Sequence, residues 1–134
     1  NETTNRYKDL WIFIYLCNGI NPTDMLKLKF SDIVDGEICF VRQKTERTTK
    51  NRKEIRATIS VQMQAVIDKW GHKPLTENYI FPYMKGNETA IEAKAITRDV
   101  VKRINKRMKL IGEELGIGNI TTYTARHSYA TVLK

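Results

Sequence analysis

The sequence predicts an α+β domain, mainly helical, in which helices surround a small antiparallel β-hairpin. Three observations predict it. Apolar residues recur every three or four positions between Ile91 and Leu115, the period of a long amphipathic helix. Ile55, Ala57 and Ile59 alternate with polar neighbours, the period of a strand with one buried face. Asn21-Pro22 and Ser60 stand just ahead of apolar stretches, where a helix needs a side chain to accept from its unpartnered N–H groups.

Residues from about Asn5 to Asn18 enclose one apolar block, Leu10-Trp11-Ile12-Phe13-Ile14-Tyr15-Leu16-Cys17, which ends at Gly19. Its length and terminal glycine favour a fully buried helix, while its β-branched and aromatic content is also that of a strand. Asn21-Pro22-Thr23-Asp24 reads as an N-cap, a proline at the first helical position and an acidic group in the first turn, opening a short helix to about Lys29. Asp35-Gly36 is a turn. Beyond it, runs from Glu37 to Arg42 and from Glu54 to Ile59 pair as a hairpin. Its loop and flanks hold Arg42, Lys44, Arg47, Lys50, Arg52 and Lys53 against only Glu46 and Glu54, a density that packing does not explain.

Ser60 caps a helix over Val61 to Trp70, which Gly71 closes. A loop with Pro74 and Pro82 leads to the longest helix, Ile91 to Leu115, whose line of Ile96, Val100, Ile104, Met108, Ile111 and Leu115 faces the core. On its other face Arg98, Lys102, Lys106 and Lys109 fall within roughly a quarter-turn at ~100° per residue, with Arg103 beside them. An ordinary solvated face has the same composition. Gly116 and Gly118 end this helix, and Thr124 is placed to cap a closing one.

The chain has 134 residues, the size of one domain, with 23 Lys and Arg against 15 Asp and Glu and a net charge of +8. That excess favours a polyanionic partner, nucleic acid before membrane. Cys17 and Cys39 lie in apolar runs without ligand spacing and read as reduced core residues of a cytosolic protein; no metal site is expected. The block from Leu10 to Cys17 is far short of a bilayer span. Trp11 and Trp70 read as core, and His72 as a loop residue.

The last stretch is Thr121-Thr122-Tyr123-Thr124-Ala125-Arg126-His127-Ser128-Tyr129-Ala130-Thr131-Val132-Leu133-Lys134. With Thr124 as cap, Arg126 falls in the first helical turn, beside free N–H groups and the positive end of the helix dipole. A cation there is awkward unless a phosphate resolves the conflict or a core carboxylate pairs with it.

This segment resembles the signature of tyrosine recombinases, the phage-integrase family, which reads His-x-x-Arg-His-Ser/Thr-aromatic-Ala-Thr. A second stretch, Asn18-Gly19-Ile20-Asn21-Pro22-Thr23-Asp24-Met25-Leu26 through Asp32-Ile33, resembles the family's first box, a Gly-x-Arg element ahead of an acidic residue, a Leu and an Asp-Ile pair. A third, Arg42-Gln43-Lys44-Thr45, matches the place of the family's catalytic lysine on the strand entering the hairpin. The resemblance covers nearly the whole chain and is closest to integrases of Bacteroides-type mobile elements.

The resemblance implies a site-specific recombinase catalytic domain that cuts and rejoins double-stranded DNA through a 3′-phosphotyrosyl link, without metal or cofactor. It places the nucleophilic tyrosine beyond Lys134, so residues 1–134 are expected to form a single partial catalytic domain that is inactive by itself, normally preceded by a separate DNA-binding domain. Arg126 would grip the scissile phosphate, Lys44 would protonate the leaving oxygen, and His127 would orient its neighbours. Arg47, Lys50, Arg52, Lys53, Arg98, Lys102 and Lys106 would contact the DNA backbone. The implied assembly is a homotetrameric synapse in the bacterial cytoplasm, at the nucleoid. Two positions depart from the pattern. Asn21 stands where the family has its first arginine, with Arg42 or Arg6 as possible replacements, and Tyr123 stands at the signature histidine. Tyr123 is able to donate a hydroxyl hydrogen bond to phosphate, or simply to pack an aromatic ahead of the last helix. These departures also fit a second function, a DNA-binding module derived from such an enzyme and chemically inert. A metal-dependent nuclease needs clustered carboxylates, and the acidic residues here are scattered or in cap positions.

Overall fold

A computed structural model of the protein describes residues 2–41, 54–75 and 77–132, with side chains in the last helix as far as His127. Among these residues the elements run α1 (Glu2–Leu16), α2 (Pro22–Leu26), a single 3-10 turn (Phe30–Asp32), β1 (Ile33–Val34), β2 (Glu37–Val41), β3 (Glu54–Thr58), α3 (Val61–Trp70), α4 (Ala90–Leu115) and α5 (Thr122–Val132). The class is mixed α+β, with a three-stranded sheet ordered β1-β2-β3.

The apolar block forms a helix, and not a fully buried one. Tyr7, Leu10, Phe13, Ile14 and Cys17 make its buried stripe, at the three- and four-residue spacing of a helix face. Trp11 and Tyr15 stack on its half-buried flank, 6.1 Å between centroids. Trp11 and Trp70 are likewise not core residues but sit at its margin, each with its indole N–H engaged: Trp11 Nε1 donates to the Thr121 carbonyl at 2.7 Å and Trp70 Nε1 to Asp9 at 2.8 Å. An indole has a polar edge that needs a partner, and the core margin supplies one. The helix stops because Asn18 (φ 57) and Gly19 (φ 68) turn left-handed, with Gly19 N–H closing on the Ile14 carbonyl at 3.0 Å.

Asn21 caps α2 as its sequence implies, its Oδ1 accepting from Thr23 N–H at 2.8 Å, although α2 ends at Leu26 rather than near Lys29. The expected hairpin is two strands of a larger sheet. Asp35 (φ 51) and Gly36 (φ 75) form a tight turn that folds Ile33–Val34 back onto Ile38 and Glu37. Two consecutive positive φ angles match the twist of the strands they join. β2 and β3 pair from Glu37↔Thr58 to Val41↔Glu54, and Ile38, Phe40 and Ala57 bury one face.

α3 follows its predicted bounds, with Ser60 Oγ accepting from Met63 N–H at 3.2 Å. The loop beyond it is structural: Ile80, Phe81 and Met84 are buried, Ile80 N–H bonds the Leu28 carbonyl at 2.8 Å, and Phe81 meets Phe13 edge-on. α4 buries Val100, Ile104 and Met108 as its period requires, but Leu115 is 64% exposed. The buried line ends instead at Gly112, where the chain folds back over the helix. α1 lies at the centre, packed against α3, α4 and α5. No helix among the described residues is long and apolar enough to cross a membrane.

Two buried groups contribute to the response to alkali. Burial pushes the Cys17 thiol up to about 12. Burial, with Tyr7 beside it, pushes the Tyr83 hydroxyl up to about 12. Both hold their protons more tightly folded than unfolded. The stability they contribute is therefore complete below the ordinary values, 9.0 for the thiol and 10.0 for the phenol, and is lost as pH rises toward the folded values. Urea midpoints are expected to fall between about pH 9 and about pH 12, and to fall less in Cys17→Ala. A flat profile in both proteins would refute the assignment. Cys39 is only half-buried, so the expectation of two core cysteines holds for Cys17 alone.

Candidate nucleic-acid interface

The residues of the signature segment lie on α5, and its cap is three residues earlier than expected. Thr121, not Thr124, opens the helix. Thr121 Oγ1 accepts from Thr124 N–H at 3.2 Å and Thr124 Oγ1 accepts from Thr121 N–H at 3.2 Å, a reciprocal box built from two threonines. The indole of Trp11 on the Thr121 carbonyl fixes this register from outside the helix. Asn105 of α4 adds its Oδ1 to Thr122 N–H at 2.9 Å. The first amides of α5 are thus largely engaged within the protein, and Arg126 sits one turn further in.

Arg126 is half-buried, and its Nε donates to the Gly19 carbonyl at 3.1 Å. Among the described residues no carboxylate pairs with it, which disposes of the core ion pair there. With Nε engaged and no partner for its two Nη groups among the described residues, those groups are donors for a ligand in the fork geometry that suits phosphate oxygens. The fold brings together two segments 107 residues apart, the turn at Gly19 and the middle of α5. Nothing in the spacing of the sequence announces Gly19 or Asn105 as partners; both act through backbone or amide atoms across elements.

Tyr123 does not pack ahead of the helix. It lies inside α5, 70% exposed, and stacks on His127 with centroids 5.8 Å apart and planes 9° from parallel. Four residues apart on a helix, the two rings share one face. Arg98, Lys102, Lys106 and Lys109 are all exposed on α4. Asn105 lies just outside that quarter-turn, about 20° from Arg98 at ~100° per residue, so the start of α5 borders this stripe. Arg103 is set apart from it. Its Nε pairs with Asp99 at 3.0 Å, and a hydrogen bond to the Tyr7 hydroxyl, then the Asp99 charge, hold the guanidinium more firmly protonated than usual.

Arg6 is excluded as a replacement for the missing arginine. Its guanidinium lies over the Trp70 ring, 4.9 Å from the centroid, at the end of α1 remote from Gly19. The helix alone separates Arg6 from Leu16 by about 15 Å at ~1.5 Å per residue. Asn21 is confirmed as a cap. Arg42, Lys44, Arg47, Lys50, Arg52 and Lys53 lie outside the described residues. Among the described residues no three His, Cys, Asp or Glu side chains gather as metal ligands. Neither a family model, nor a curated protein, nor a solved structure matches the chain.

Proposed function

We propose that this chain is the phosphate-binding part of a DNA strand-exchange domain of the tyrosine-recombinase type, acting on duplex DNA. The observation that carries this reading is Arg126: a half-buried guanidinium pinned at Nε by the Gly19 carbonyl, with no described carboxylate to neutralise it, next to the turn that resembles the family's first box. In this reading the Nη groups hold nonbridging phosphate oxygens while a tyrosine hydroxyl, supplied from beyond Lys134, attacks in line. The phosphorus–oxygen bond to the leaving 5′ oxygen breaks as the bond from the tyrosine oxygen to phosphorus forms; the phenol proton passes to water and Lys44 delivers a proton to the leaving oxygen. The exposed lysines and arginine of α4 hold the backbone alongside.

The inert-module reading draws on Asn21, which uses its Oδ1 as a helix cap and brings no charge to the place of the first arginine. A chain carrying the downstream tyrosine distinguishes the two. On a nicked duplex containing its target site it is expected to form a protein–DNA band that survives SDS and disappears with protease. Binding without that band would favour the inert module.

Neutralisation of the DNA backbone makes a separate, quantitative expectation. Replacing Arg98, Lys102 and Lys106 together by neutral residues should flatten the slope of log K against log salt by roughly two to three units, at about 0.9 for each phosphate that no longer meets a cation. An unchanged slope would return the α4 stripe to an ordinary solvated face.

A further inference from the structure

We propose that Asn18 is a positioning residue that ties Arg126 to strand β3 through the Gly19 carbonyl. Its consequence for DNA rests on the reading of Arg126 as a phosphate ligand. The link itself rests on geometry. Asn18 Nδ2 donates to the Arg56 carbonyl of β3 at 2.9 Å, and the carbonyl of the next residue, Gly19, receives Arg126 Nε at 3.1 Å. Two bonds therefore join a strand, a turn and the middle of α5.

The turn between them has little freedom left. Cys17 before it and Ile20 after it are buried, and both Asn18 and Gly19 hold left-handed backbone angles. The direction of the Gly19 carbonyl depends on those angles. Asparagine tolerates the left-handed region better than other side chains, and its amide here does more than tolerate it. By holding a carbonyl on β3, it stops the turn from rotating that next carbonyl away from Arg126. A guanidinium has several rotors behind it, and fixing Nε sets the plane in which both Nη groups must meet a ligand.

Asn18→Gly tests this, because glycine keeps the left-handed backbone and deletes only the amide. The readout is solvent exchange of the Arg126 Nε–H by proton–nitrogen NMR in the whole chain, the resonance being identified by its loss in Arg126→Lys. Exchange is expected to accelerate roughly three- to tenfold, the population change that one hydrogen bond carries. The Nε–H of Arg103, held by Asp99, should not change. Asn18→Asp, which keeps the shape and turn preference but has no donor when ionised, should accelerate it likewise and decides the matter where the glycine variant fails to fold. Unchanged exchange in the folded variant overturns the proposal.

Titration with a short mixed-sequence duplex at low salt adds the functional arm. Arg126→Ala should weaken binding, and Asn18→Gly should weaken it by a smaller factor. Should Asn18→Gly bind as the unmodified chain while Arg126→Ala does not, the positioning role is refuted. Should Arg126→Ala itself bind normally, the phosphate reading of Arg126 falls, and the exchange measurement still decides the link.

Discussion

On the strand-exchange reading, and in a chain that carries the downstream tyrosine, Arg126→Lys is expected to reduce formation of the covalent protein–DNA adduct about a hundredfold to a thousandfold, the usual cost of removing one preorganised donor from a transition state. The charge survives the substitution; the geometry does not. Arginine bonds Gly19 through Nε and still offers two Nη groups, whereas a lysine has one nitrogen, which meets either the Gly19 carbonyl or a phosphate at full strength. Binding of duplex DNA should therefore change only a few fold, since a charge remains near the backbone. The check is a time course of SDS-resistant adduct on a nicked target duplex, with binding measured in parallel. Equal rates for arginine and lysine would mean that the fork is not used on phosphate. Proportional loss of binding and chemistry would mean that the side chain serves affinity rather than the reaction.

The largest expected loss of stability comes from a methyl group. A Cβ on Gly112 would lie 2.0 Å from the Gly118 carbonyl oxygen and 3.2 Å from its carbon. Those atoms are backbone and cannot step aside without moving the chain between α4 and α5. Ile117 N–H also closes on the Gly112 carbonyl at 3.0 Å, so the fold-back is anchored at the residue it crowds. Overpacking of this kind costs about 3 kcal/mol, which for a domain of this size lowers the melting temperature by about 10 °C. Gly116 provides the contrast. It has φ 68 with nothing within 4 Å of a Cβ, so Gly116→Ala should lose only the left-handed strain, about 1 kcal/mol. Equal melting temperatures for the two variants would show that the fold-back does not approach Gly112 so closely.

Gly112 also shows where sequence reading stops. The period of α4 continues through Ile111 to Leu115, and hydrophobicity extends the core with it; the actual limit is the close approach of the Gly118 backbone, which no pattern in α4 records. The bounds of α3 were legible because both of its signals, the Ser60 hydroxyl and the closing Gly71, act within a few residues. The same holds for the Asn21 cap. β1 was not legible, being two residues long and recognisable only by its pairing with β2. At the site, Arg126 stands out in the sequence as a cation in an odd place, but the partners around it do not. Thr121 and Thr124 have equal claims to the cap by chemistry, and the choice was made by Trp11, far away in the chain. The stacking of Tyr123 on His127 was not legible, because a cap at Thr124 puts Tyr123 ahead of the helix, whereas the cap at Thr121 places both rings on one face of α5.

The bond from Trp11 to Thr121 spans 110 residues, and that span governs the order of events when the chain is made. α1 emerges before α5 with its apolar stripe complete, yet α5, one of the surfaces that covers it, follows only about a hundred residues later. Pairings of such separation must wait for the intervening chain to be ordered, and they slow folding relative to a bundle of neighbouring helices. Until then the run from Leu10 to Cys17 has only part of its shelter, a condition that favours association between unfinished chains. On a ribosome, this is the segment on which a holding chaperone would be expected to act.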